Sequence, residues 1–111
     1  MVKQGTIIKI NFNPQSGHEQ AGYRPAVVIS NDIFNEKARL SIVCPITNTN
    51  NDFPLHVPLD TRTKTPGVIL CEHIKALDLN SRTYQVIENL PKDILQNVID
   101  IVYSEIEQIE D

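Results

Sequence analysis

Gly17-His18-Glu19-Gln20-Ala21-Gly22-Tyr23-Arg24-Pro25 runs straight into Ala26-Val27-Val28-Ile29-Ser30, and the rest of the chain is organised around this junction. With Pro14 the first part makes a polar loop bounded by a proline at each end. Its two glycines open backbone conformations that other residues resist. Pro25 biases Arg24 towards an extended conformation and cannot donate a hydrogen bond. The apolar run that follows is short and β-branched, which predicts a central strand ending near Ser30. The loop thus sets an imidazole, a carboxylate, a phenol and a guanidinium at the mouth of a rigid strand. That set suits a phosphate: Arg holds two phosphate oxygens at once, and His and Glu can move protons.

Outward from the loop, Gly5 to Phe12 alternates Ile8, Ile10 and Phe12 with Lys9 and Asn11, predicting a half-buried strand. Asn31 to Glu36 reads as a capped single helical turn. Leu40 to Ile46 is a further strand, and the polar tail from Thr47 to Asp52 is expected to be a mobile surface loop. Phe53 to Leu59, with two prolines, is placed at a sheet edge. Thr61 to Gly67 is a turn. Val68 to Leu77 reads as one long strand, in which His73 and Lys75 share a face that Glu72 does not. Thr83 to Ile87 is a short last strand.

A helix then starts at Leu90-Pro91-Lys92-Asp93, with proline early and an acid near the positive end of the dipole. Its apolar stripe is Ile94, Leu95, Val98, Ile101, Val102 and Ile109, with Glu105 the one polar intrusion. The pattern predicts a mainly β protein. The expected fold is a small SH3-like antiparallel barrel with a C-terminal helix packed on it.

At 111 residues the chain is expected to form one domain, 1–111. No apolar run approaches ~18 residues, so no membrane span is expected. Nothing resembling a signal peptide follows Met1. Cys44 and Cys71 sit in apolar runs and are expected to be buried free thiols in a reducing cytoplasm. No C-x-x-C pair suggests a structural zinc site.

The formal net charge is -4, unevenly spread. Residues 88–111 carry seven acids against Lys92, leaving +2 for residues 1–87. The body that carries the loop is therefore mildly basic, which is compatible with RNA but not with tight non-specific binding to duplexes.

The loop resembles the G-x-E-Q-x-G-x-R-P motif of the MazF/Kid (PemK-like) toxins. Two further motifs follow in order: Pro45-Ile46-Thr47 closing a strand, and Gly67-Val68-Ile69-Leu70-Cys71-Glu72-His73-Ile74-Lys75-Ala76-Leu77-Asp78. Gly5-Thr6-Ile7-Ile8 is similar to the family's first strand. His73 stands where the family usually has Gln, and Ala76 where Ser or Thr is common. Leu70 stands where the Kid branch carries a catalytic Arg, whereas the MazF-type pair is present as Arg24 and Thr47.

The resemblance implies a cytoplasmic, metal- and cofactor-independent endoribonuclease that cuts single-stranded RNA at short sequences. It also implies a homodimer inhibited by a cognate antitoxin. Catalytic candidates are Arg24 for charge stabilisation, Thr47 as a hydrogen bonder to a phosphate oxygen, and His18 and Glu19 as proton carriers or a loop-stabilising pair. Candidate RNA contacts are Gln20, Tyr23, Asn48, Glu72, His73 and Lys75. His56 is expected at the surface. Two other classes compete: a gyrase-binding toxin of the same fold, like CcdB, and a small-barrel module with an aromatic cage. The first lacks its aromatic C-terminal ending here. The second is hard to build from three Tyr, three Phe and no Trp.

Overall fold

A computed structural model describes residues 2–13, 22–49 and 52–109. Its strands are β1 (Thr6–Asn11), β2 (Tyr23–Val28), β3 (Ser41–Thr47), β4 (His56–Pro58), β5 (Val68–Leu70), β6 (Lys75–Leu77) and β7 (Tyr84–Asn89). Two helices, α1 (Asp32–Ala38) and α2 (Lys92–Ile106), complete the set. The strands form an antiparallel sheet in the order β4-β5-β3-β2-β1-β7, with β6 also paired to β3. Among the described residues no ladder joins β7 to β4, so the sheet is barrel-like but open.

Both faces of its centre are buried, which is why Ile7 and Ile8 are both inaccessible. Ile7, Val27, Cys44 and Ile46 pack under α2 through Ile94, Val98 and Val102. Ile8, Ile10, Phe12, Ala26 and Val43 form a second cluster on the other face with Leu77 and Leu79. The apolar stripe of α2 ends at Val102. Glu105 is exposed, and Ile109 lies past the end of the helix, also exposed.

Three expectations are corrected. The helix after Asn31 runs two turns, to Ala38. Asn31 Oδ1 accepts from Phe34 N at 2.7 Å, as a cap should. The buried Asn35 then holds the helix down: its amide donates to Val2 O and Ser30 O, and its carbonyl accepts from the Ser30 hydroxyl.

Second, β2 begins at Tyr23, so Tyr23, Arg24 and Pro25 lie on the strand rather than in the loop. Pro25 is tolerated because the β2–β3 ladder starts only at Ala26, which leaves β2 locally an edge.

Third, the long strand from Val68 to Leu77 is broken. Between the pairs Ile46–Ile69 and Val43–Lys75, β3 advances three residues while the opposing segment advances six. The surplus three are extruded as a 3-10 turn at Cys71–His73. Facing rules for a continuous strand therefore do not apply to Glu72, His73 and Lys75. The edge position of β4 and the turn before Gly67 are as expected. Residues 50–51 of the polar tail lie outside the described residues.

Candidate active site

The ends of β1, β2 and β3 and the turn before β5 enclose an open cleft of about 580 Å³. Arg24 and Tyr23 from β2, and Thr47 and Asn48 from the end of β3, all line it. The two pairs are more than 20 residues apart in sequence. Two antiparallel ladders bring them together, Ile10 opposite Arg24 and Ala26 opposite Pro45. Strands hold side chains more tightly than loops do, which favours a site of fixed geometry.

Thr47 ends β3 opposite Val68, and its Oγ1 accepts from Thr49 N at 3.3 Å. Its O–H proton is thereby left to point elsewhere. Behind it stands Gly67, with φ +114°. A Cβ there would sit 2.2 Å from the Thr47 carbonyl oxygen and 2.9 Å from its carbon. The chain can approach Thr47 this closely only with glycine. In the sequence Gly67 closes a turn and opens the third family motif, and neither signal gives it a role against Thr47. The available signal was a Pro-Gly pair placed directly before a buried strand.

Glu88, on β7, holds the same turn. Its carboxylate accepts from Lys64 N at 3.0 Å, and from Thr65 N and Thr65 Oγ1, both at 2.8 Å. Burial pushes its carboxyl up. The bonds from the Lys64 and Thr65 amides and the Thr65 hydroxyl outweigh that, so it lies below the usual glutamate range. Thr65 and Pro66 are themselves part of the cleft wall. At the turn's other end, Arg62 forks onto both Asp93 oxygens at 2.8 and 3.0 Å and also pairs with Asp60. Glu88 counted only as one acid of the terminal segment in the sequence, where nothing set it apart.

His18, Glu19 and Gln20 lie outside the described residues. The neck of their loop is well defined. Gly22 (φ +81°) donates to Asn13 Oδ1 at 3.0 Å, and its carbonyl accepts from Phe12 N at 2.9 Å. Arg82 Nη1 donates to the carbonyls of Asn11 and Asn13, at 2.9 and 3.3 Å.

Glu72, His73 and Lys75 do not line the cleft. Glu72 Oε2 lies 2.8 Å from His56 Nε2 and 3.9 Å from His73 Nε2. His56 corrects the surface expectation: its side chain is only 7% exposed, and its ring meets Phe53 edge-on at 5.3 Å. Partial burial, then the like charge of Glu72, pushes the Glu105 carboxyl up. Cys44 and Cys71 are buried and free. The hydrogen bond with Cys71, and then burial, raise the Cys44 thiol far above its usual range.

With this geometry in hand, comparison with known proteins is direct. Residues 3–104 match the family model of the PemK-like, MazF-like toxin of type II toxin–antitoxin systems. The chain belongs to that family. It is 30% identical over 102 residues to the endoribonuclease PemK of Escherichia coli, covering 88% of this chain and 77% of that one. MazF of Deinococcus radiodurans superposes with a TM-score of 0.88 at 35% identity, covering 94% of each chain. A MazE–MazF complex structure from the same organism gives 0.81, also at 35% identity and 94% coverage of each chain. The gyrase-binding and aromatic-cage alternatives are not favoured.

Proposed function

We propose that this chain, acting as one domain over residues 1–111, is the endoribonuclease toxin of a toxin–antitoxin pair. In this reading it cuts single-stranded RNA in the cytoplasm without a metal ion. The observation that carries the reading is the meeting of Arg24 and Thr47 in one open cleft. The ribose 2′-hydroxyl gives its proton to a base and its oxygen bonds to the adjacent phosphorus. The bond to the 5′ oxygen breaks and that oxygen takes up a proton. The products are a 2′,3′-cyclic phosphate and a 5′-hydroxyl.

Arg24 stabilises the charge that builds on the phosphorane, and the Thr47 hydroxyl donates to a phosphate oxygen. His18 and Glu19 carry the protons. Gln20, Tyr23 and Asn48 contact the RNA, Tyr23 by stacking. Lys75, outside the cleft, belongs to a more distant stretch of the RNA path, whereas Glu72 and His73 sit with His56 in a cluster that serves the fold. The active form is a homodimer, silenced by a cognate antitoxin; the Deinococcus relative has been solved as a MazE–MazF complex.

The test is a fluorogenic RNA–DNA chimera with one ribonucleotide at the cut site, assayed in EDTA. Arg24→Ala and Thr47→Ala are each expected to fold and to lose about 10²–10³ in rate. Arg24→Lys also fails, because an ammonium cannot reproduce the bidentate fork. Cleavage retained in Arg24→Ala moves the chemistry to other residues. Cleavage of an all-deoxy substrate means the 2′-hydroxyl is not the nucleophile.

A further inference from the structure

Lys9 sits in the interior strand β1, yet it is exposed. Its neighbours along the strand, Ile7, Ile8 and Ile10, are buried. It lines the same cleft as Arg24 and Thr47, and its cross-strand partner is Pro25, the residue after Arg24. Among the described residues it forms no ion pair. Its ammonium instead lies 5.5 Å from the centre of the Tyr23 ring. A cation over an aromatic face is held in place without being neutralised. Tyr23 is itself 49% exposed, which leaves part of its ring open.

The other side of Lys9 is shaped as well. The β1–β7 ladder pairs Ile7 with Glu88 and Ile8 with Val86, so Ile87 is an extra residue in β7. Such a bulge re-aims a side chain, and Ile87 faces into the cleft beside Lys9. The cleft floor therefore combines an apolar side chain, an aromatic ring and a cation whose charge is unspent. Single-stranded nucleic acid is bound by that combination, with bases on aromatic rings and phosphates on cations.

We propose that Lys9 is a substrate-contacting residue. Its ammonium, steered by the Tyr23 ring, takes an RNA phosphate neighbouring the one held by Arg24. This rests on the endoribonuclease reading and adds a second cation to it. Lys9 supplies affinity and places the strand, and Arg24 meets the reacting phosphate.

The test measures binding of a fluorescein-labelled single-stranded 2′-O-methyl RNA of random sequence, which cannot be cut, over a range of salt concentrations. Lys9→Met should weaken binding and make the slope of log K against log salt shallower by about 0.7, the loss of one phosphate contact. Equivalently, from 50 to 200 mM salt the wild type should lose roughly 2.5-fold more affinity than the variant. KM for cleavable RNA should rise in parallel, and Lys9→Arg should restore both. A Lys9→Met protein with wild-type affinity and slope overturns the assignment while leaving the endoribonuclease reading intact. Equal losses in Lys9→Met and Lys9→Arg overturn it too, because packing on Tyr23 would then matter rather than charge. A wild-type protein that neither binds nor cuts RNA overturns both.

Discussion

Two regions of this molecule put their polar groups to different use. One is the cleft with Arg24 and Thr47. The other is the junction of β4, the 3-10 turn and α2, with His56, Glu72 and His73. Both gather polar groups beside a strand end. In the second, Glu72 is committed to His56 at 2.8 Å, and the imidazole is nearly enclosed. In the first, the groups that hold the geometry are a different set. Gly67 seats the Thr47 backbone, and Glu88 ties down the turn that forms the wall. Functional side chains are presented where the backbone and its supporting residues do the positioning. Where polar side chains pair with each other, as Glu72 and His56 do, the cluster holds structure together.

The sharpest way to break this comparison is to fill the space behind Thr47. Gly67→Ala adds a Cβ at 2.2 Å from a backbone oxygen, at a φ that alanine resists. Strand β5 or the end of β3 must shift. Destabilisation of about 3 kcal/mol or more is expected, with cleavage reduced at least about 10²-fold in the protein that remains folded. Gly22→Ala is the matched control. Its φ is also positive, but among the described residues nothing lies within 4 Å of the added Cβ. It should cost only about 1–2 kcal/mol. Urea melts read beside cleavage rates decide the matter: Gly22 lines the cleft too, so Gly67 leaves the site only if folded Gly67→Ala protein cleaves as the wild type does.

The second region should respond in the opposite sense. Glu72→Ala leaves the enclosed His56 ring without its partner, which should cost about 1–3 kcal/mol of stability. Cleavage per folded molecule should fall far less than in Arg24→Ala. If Glu72→Ala instead kept its thermal midpoint and lost cleavage, the two regions would have to be treated as one site.

How much of this was legible beforehand follows from which residues carry it. The alternation of Ile8, Ile10 and Phe12, the run at Val27 and Val28, and the stripe Ile94, Val98 and Val102 reported the sheet and helix directly. Burial has a period, and sequence displays periods. That Arg24 and Thr47 would meet in one cleft was legible through motif resemblance. The break at Cys71–His73 was hidden because it arises from a register mismatch with β3, a property of two segments more than 20 residues apart. Gly67 and Glu88 were hidden for the same reason. Their roles exist only against Thr47 in one case and the Lys64–Thr65 amides in the other. The exposed Lys9 read as the polar side of an alternating strand, which it is. Its place in the cleft depends on Tyr23 lying on β2, two residue pairs from it.

The smallest effect tests whether Glu88 supports the cleft through its charge. Its carboxyl is held below the unfolded glutamate value by hydrogen bonds that only the ionised form accepts fully. A depressed carboxylate pKa means that the unfolded chain binds the proton more readily than the native one. Its contribution to stability is therefore complete above the unfolded value, near pH 4.5, and is lost as pH falls through the lower native value. The side chain is only half enclosed, so solvent screening limits the contribution, and under about 1 kcal/mol is expected. Glu88→Gln keeps the shape and one acceptor oxygen but removes the charge. Thermal melts of wild type and Glu88→Gln should differ slightly at pH 7 and converge as pH falls through the native value. Cleavage at pH 7 should drop a few-fold, through a looser Thr65–Pro66 wall. A stability difference that persisted unchanged at acid pH would mean that the Thr65 bonds depend on the shape of the side chain and not on its charge, and the wall would then stand without the ionised carboxylate.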